Sequence, residues 1–172
     1  MPEQGDREAM ERARADKRQG KSPSTQAGEF VREEIEHVRE GVHGARSPQQ
    51  AIAIGLSKAR RAGIELKPPE AETTSPSTRR KAQRDYERGH GKPDASRASP
   101  RRRAAVSRAL KREPRASASR RALAVHAHIA ASHRSSSQRS AAAKQAARTK
   151  GPAKRSAAAR KAARTRSSHR RS

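Results

Sequence analysis

The sequence predicts an all-α protein in two parts: a small N-terminal helical hairpin module, then a long, largely disordered, helix-capable basic tail. Three observations lead there. Apolar residues make up only 30% of the 172 residues, while the net charge is +25. Two stretches, 22–41 and 47–63, carry apolar residues at helical spacing. The C-terminal part repeats itself: RSAAAKQAARTK at 139–150 and RSAAARKAARTR at 155–166 agree at nine of twelve positions, sixteen residues apart. Low hydrophobicity with high net charge does not offset the entropy of ordering a whole chain. A small folded part and a mobile remainder are therefore expected.

The elements follow in order. Residues 1–20 read as a charged, solvated helix, because 6–19 are strong helix formers with almost no apolar stripe. In 22–41, Ser22 or Ser24 caps the start, Phe30, Val31, Ile35 and Val38 share a face, and Gly41 stops the helix. Glu29, Glu33, Glu34, Glu36 and Glu40 are placed on its outer face. In 47–63, Ser47 is the N-cap, Pro48 takes the first position and Gln50 completes a capping box. Ile52, Leu56 and Ala59 form its stripe, and Gly63 with Ile64 marks its end. The two helices, joined by VHGAR, make the 21–70 module. Its expected core adds Val42, Ile54, Ile64 and Leu66, which is thin for its length, so self-association through the hairpin is expected to help. Residues 71–100 read as linkers around a short basic helix, and 101–172 as the Arg/Ala/Ser-rich tail. Within the repeats, Ser140 and Ser156 are the expected N-caps. Lys144 with Arg148, and Arg160 with Arg164, stand four apart, where like charges oppose an isolated helix. Each repeat is expected to be disordered when free and partly helical when bound.

Charge is split along the chain. Residues 1–72 hold 13 Lys+Arg against 13 Asp+Glu, so the whole +25 lies in the last hundred residues. That asymmetry points to a polyanionic partner. Arg outnumbers Lys, 31 to 11, and its forked guanidinium suits phosphates and narrow minor grooves. The candidate nucleic-acid contacts are Arg101, Arg102, Arg103, Arg108, Lys111, Arg112, Arg120, Arg121, Lys144, Arg148, Lys150, Lys154, Arg155, Arg160, Lys161, Arg164, Arg166, Arg170 and Arg171. SPRRR at 99–103 is similar to the Ser-Pro-basic units of histone tails, though it equally fits a helix start. With one Phe, one Tyr and no Trp, the chain has little on which to stack single-stranded bases, so duplex DNA is favoured over RNA.

Other chemistry finds less support. There is no Cys, hence no disulfide or thiolate metal site. His126, His128 and His133 match no strong metal motif and read as solvated, and GVHG at 41–44 reads as a turn. GHGKP around His90 lacks the first Gly of a phosphate loop and has Pro93 where Ser or Thr belongs. No nucleophile with its base is recognisable, so no enzyme and no cofactor are expected. No stretch approaches the roughly 20 apolar residues of a membrane span, and MPEQGDREAM is not a secretory signal. A cytoplasmic, nucleoid location follows as the expectation.

Residues 19–69, through STQAGEFVREEIEHVREG, HGARS and QAIAIGLSKARRAG, resemble an uncharacterised family of small basic bacterial proteins often labelled DNA-binding. The tail resembles bacterial histone H1-like tails, with Arg in place of much of their Lys. The resemblance implies no activity and no functional residue. The expected function is sequence-independent binding of duplex DNA through phosphates, with nucleoid bridging or condensation. The alternatives are an RNA or ribosome-associated protein, or a protein-interaction module that the tail only localises.

Overall fold

The computed structural model describes residues 4–71, 74–92 and 99–169, the side chains of Thr149, Lys150 and His169 excepted. Four of its helices start the same way. Ser22, Ser47, Ser75 and Ser99 each take extended backbone, accept a hydrogen bond from the amide three residues on, and are followed by Pro in the first turn. A serine oxygen satisfies one orphan N–H, and the proline lacks the N–H that would be another. These caps open α2 (Pro23–Glu40), α3 (Pro48–Arg61), α4 (Pro76–Gly89) and α5 (Pro100–Arg112). Before them runs α1 (Gln4–Arg18), and after them α6 (Arg120–Ser132) and α7 (Ser136–His169). A 3-10 turn at Ala116–Ala118 precedes α6. Every regular element among the described residues is helical.

The chain divides into two units, Met1–His126 and Ala127–Ser172, and the division falls inside α6. The core of the first unit is built from small residues. Ala9 and Ala13 of α1, Ala27 and Phe30 of α2, Ala59 of α3 and Ile64 are all buried together, flanked by Met10, Leu56, Ala62 and Leu66. A second cluster joins Val38, Ala45, Ala51 and Ala118, with Ile35 against it. Small side chains let backbones approach closely. A Cβ on Gly55 would lie 2.7 Å from the Cα of Val31, so α2 and α3 meet almost main chain to main chain. Helix ends follow the sequence. Gly41 and Gly63 are left-handed, and Val42 and Ile64 donate back to the carbonyls of His37 and Ala59.

Several expectations are corrected here. The basic tail is not a long disordered segment: 100–112, 120–132 and 136–169 are helical. Alanine is the best helix former, and straight-chain Arg and Lys lose little freedom in a helix. That propensity outweighs the like-charge pairs, worth only about 0.2–0.5 kcal/mol each. The repeats are accordingly helical without a bound partner. The hairpin is not a two-helix unit, because α1 and α4 also pack on it, burying Ala9, Ala13 and Ala82. The first helix is therefore more than a solvated one. The glutamates of α2 do not all face out: Glu34 is fully buried and Glu29 nearly so. Val42, expected in the core, is 46% exposed. Ser140 and Ser156 cap nothing. Ser135 caps α7, its Oγ accepting from the Gln138 amide at 3.2 Å while Gln138 Oε1 accepts from its amide at 3.0 Å. Ser156 instead donates to the Pro152 carbonyl inside the helix.

The segment that follows α5 is tied to the first unit. The Gly44 amide donates to the Leu110 carbonyl at 2.9 Å, that of Ala45 to Pro114 at 3.2 Å, and Arg39 Nε to Ala118 at 3.0 Å. Gly44 is required there, since a Cβ would collide with the Glu113 backbone. In the second unit α7 is two helices, not one. Gly151 leaves the helix at φ 68°, ψ 168° and Pro152 restarts it. Each repeat therefore occupies its own helical segment.

Candidate nucleic-acid interface

Several cations of the first unit are paired with carboxylates. Arg12 bridges α1 to α2, its Nε donating to Glu29 at 2.9 Å and its Nη2 to Glu33 at 2.6 Å. The hydrogen bond Arg12 donates to Glu33, aided by the one to Glu29, raises the Arg12 pKa above its ordinary value. Lys21 pairs with Asp16, Arg32 with Glu29, Arg39 with Glu36, and Arg61 with Asp85. Lys58 reaches both Asp6, at 3.0 Å, and Glu34, at 3.1 Å. Burial opposes its charge, but Glu34 and Asp6 together outweigh that and leave its pKa raised.

Beyond Glu113 this pairing stops. Residues 114–172 hold 16 Lys and Arg and no Asp or Glu. Arg120 and Arg121 stand exposed in the first turn of α6. Lys144 and Arg148 are exposed on the first segment of α7. Lys154, Arg155, Arg160, Lys161, Arg164 and Arg166 are exposed on the second. Among the described residues none of these side chains has an ion-pair partner. Arg155 Nε donates to the Gly151 carbonyl at 3.3 Å. The Lys150 side chain, Arg170 and Arg171 lie outside the described residues.

Helix α5 divides its cations between two faces. Arg101, Arg108 and Arg112 fall on one side at helical spacing and are exposed. Val106 and Leu110 lie on the other and, with Arg102, Arg103 and Lys111, line a groove of about 550 Å³ against Val42, Ile54 and Lys58. The SPRRR stretch is thus a helix start, with Ser99 accepting from the Arg102 amide at 3.3 Å.

The two aromatic residues are both engaged elsewhere. Phe30 is buried in the core. Tyr86 stacks on His90 with ring centroids 4.0 Å apart and donates its hydroxyl to Glu65 at 2.9 Å. Among the described residues no helix is long and apolar enough to cross a membrane.

The sequence reading missed a buried cluster in the first unit. One ligand atom each from Glu34, His37 and His43 lie within 4.8 Å of one another. The signal was present: Glu34 and His37 stand three apart on one face of α2, and His43 lies in the GVHG turn just beyond. Assigning all the glutamates of α2 to solvent hid it. Comparison with family models, with curated proteins and with solved structures gave no match.

Proposed function

We propose that this chain is a non-catalytic nucleic-acid-binding protein that grips phosphates through the exposed cations of α5, α6 and α7, with duplex DNA its preferred partner. A single observation carries this: residues 114–172 hold 16 Lys and Arg and no Asp or Glu, and most of those described project from helices. Each cation placed near a duplex phosphate releases condensed counterions, which favours binding on any sequence. A preformed helix also spares the arm the ordering entropy of a coil on binding. The engagement of Phe30 and Tyr86 supports duplex over single strand, because base stacking on aromatic rings is the usual single-strand device. Nucleoid bridging or condensation is the corresponding cellular role.

The test is a salt series of duplex binding by the full chain and by a full-length variant with Lys144, Arg148, Arg160 and Arg164 changed to Gln. The expected result is weaker binding and a shallower slope on every duplex sequence. An unchanged slope would remove α7 from the interface. Competition between duplex DNA and structured RNA at equal phosphate decides the partner, and preference for RNA would overturn the DNA assignment.

A further inference from the structure

The cluster at the C-terminal end of α2 has chemistry that phosphate binding does not use. Glu34 is fully buried, and its two oxygens face different neighbours. Lys58 Nζ lies 3.1 Å from Oε2, and His43 Nε2 lies 3.2 Å from Oε1. Neither contact has hydrogen-bond geometry; Oε2 keeps its ion pair with Lys58, whereas Oε1 faces only His43. His37 is also buried, and its Nδ1 has no partner at all.

The other nitrogen of each imidazole faces an oxygen. His43 Nδ1 lies 3.1 Å from the Gly44 carbonyl, which can only accept, so Nδ1 carries the proton. His37 Nε2 lies 3.4 Å from Glu33 Oε1, an ion-pair distance without hydrogen-bond geometry. The nitrogens left for a ligand are Nε2 of His43, which faces Glu34, and Nδ1 of His37, which is buried without a partner. An N–H held on a carbonyl, as at His43, is how proteins orient histidines toward metal ions. A proton shared between His43 and Glu34 would join two of these atoms. It would leave His37 Nδ1 buried and unsatisfied, whereas a metal ion serves all three.

We propose that Glu34, His37 and His43 bind one divalent transition-metal ion, of which Zn²⁺ is the representative. Two imidazoles and a carboxylate suit its borderline character, and three protein ligands leave a fourth position. Lys58, shared with Asp6, holds the second oxygen of Glu34 and leaves Oε1 for the ion. Glu34 and His43 both line the groove beneath α5, which supplies a path from solvent. The ligand atoms must close in from 4.8 Å, because Zn–N and Zn–O bonds of about 2.0–2.2 Å set them nearer together.

Calorimetric titration of Zn²⁺ into the chelator-treated full chain should show one tight equivalent. It should be weakened at least ~100-fold by His43→Gln and by His37→Gln, since loss of a mere outer-shell partner already costs about 10–100-fold. A variant with His126, His128 and His133 changed to Gln should keep it. Co²⁺ in place of Zn²⁺ should give intense visible absorption of a four-coordinate site. If a His variant loses its helical circular dichroism, nitrogen NMR of the unaltered chain decides. Zn²⁺ should then shift His37 Nδ1 and His43 Nε2 and leave the tail histidines in place. Absence of a tight equivalent, or its survival in both single variants, overturns the proposal.

Discussion

Gly55 and Lys58, one turn apart on α3, hold this fold in opposite ways. A Cβ at Gly55 would sit 2.7 Å from Val31 Cα and 2.9 Å from the Phe30 carbonyl, both main chain that cannot swing aside. Gly55→Ala gains about 1 kcal/mol of helix propensity but overpacks the α2–α3 contact, which costs typically 1–3 kcal/mol. A lower urea midpoint is expected, with residual helicity unchanged. Lys58 neutralises a carboxylate that is fully buried. Lys58→Met leaves Glu34 without its ammonium and should cost roughly 3 kcal/mol, whereas Glu34→Leu with Lys58→Met should recover most of it. Thermal melts of the three chains check this. The Lys58 pKa is raised above 10.5 in the folded state, so its share of stability is complete below that value. That share is lost as pH climbs through the higher folded pKa, and the alkaline limb of urea stability should flatten in Lys58→Met. Neither residue announces its role in the sequence. Gly55 looks like a flaw in a helix and Lys58 like a C-terminal cation, because only the tertiary approach of α2 and α1 gives them their tasks.

At the level of elements, helix starts were the most legible feature and helix partners the least. Ser47 with Pro48 was read correctly as a start, and the same Ser-Pro dipeptide opens three more helices. The rule is local, so sequence carries it. Packing of α1 was illegible because it buries Ala9 and Ala13, and alanine has too little apolar surface to mark a stripe. The tail was misjudged for the converse reason: composition argues against a core, but a helix needs none when propensity suffices. Ser135→Ala removes both halves of the capping box with Gln138 and should cost about 1 kcal/mol locally. Faster amide exchange in the first turns of α7 would register it. Lacking buried residues, α7 should exchange by local opening well ahead of α2 and α3, and duplex DNA should slow it.

On the scale of the whole chain, charge is the organising quantity. Residues 127–172 hold 13 Lys and Arg and no carboxylate, which is about half of the net +25 in a quarter of the length. If each of four glutamine substitutions at 144, 148, 160 and 164 removes one phosphate contact, the slope of log K against log salt should shallow by up to ~3.6. Loss should be similar on unrelated duplexes, since phosphates carry no sequence. The charge split and most of these cations were legible from composition alone. The Glu34, His37 and His43 cluster was not, because it depends on where α2 ends and how its turn folds back.

The break at Gly151–Pro152 makes the repeated segment a self-contained cassette. Each copy begins and ends within its own helix, and the described residues of α7 bury nothing. Gene duplication or loss of one sixteen-residue cassette therefore alters valency without perturbing the alanine core. Under the proposed function, affinity for a polymer would in this way be dialled in whole increments, by copy number rather than by point mutation.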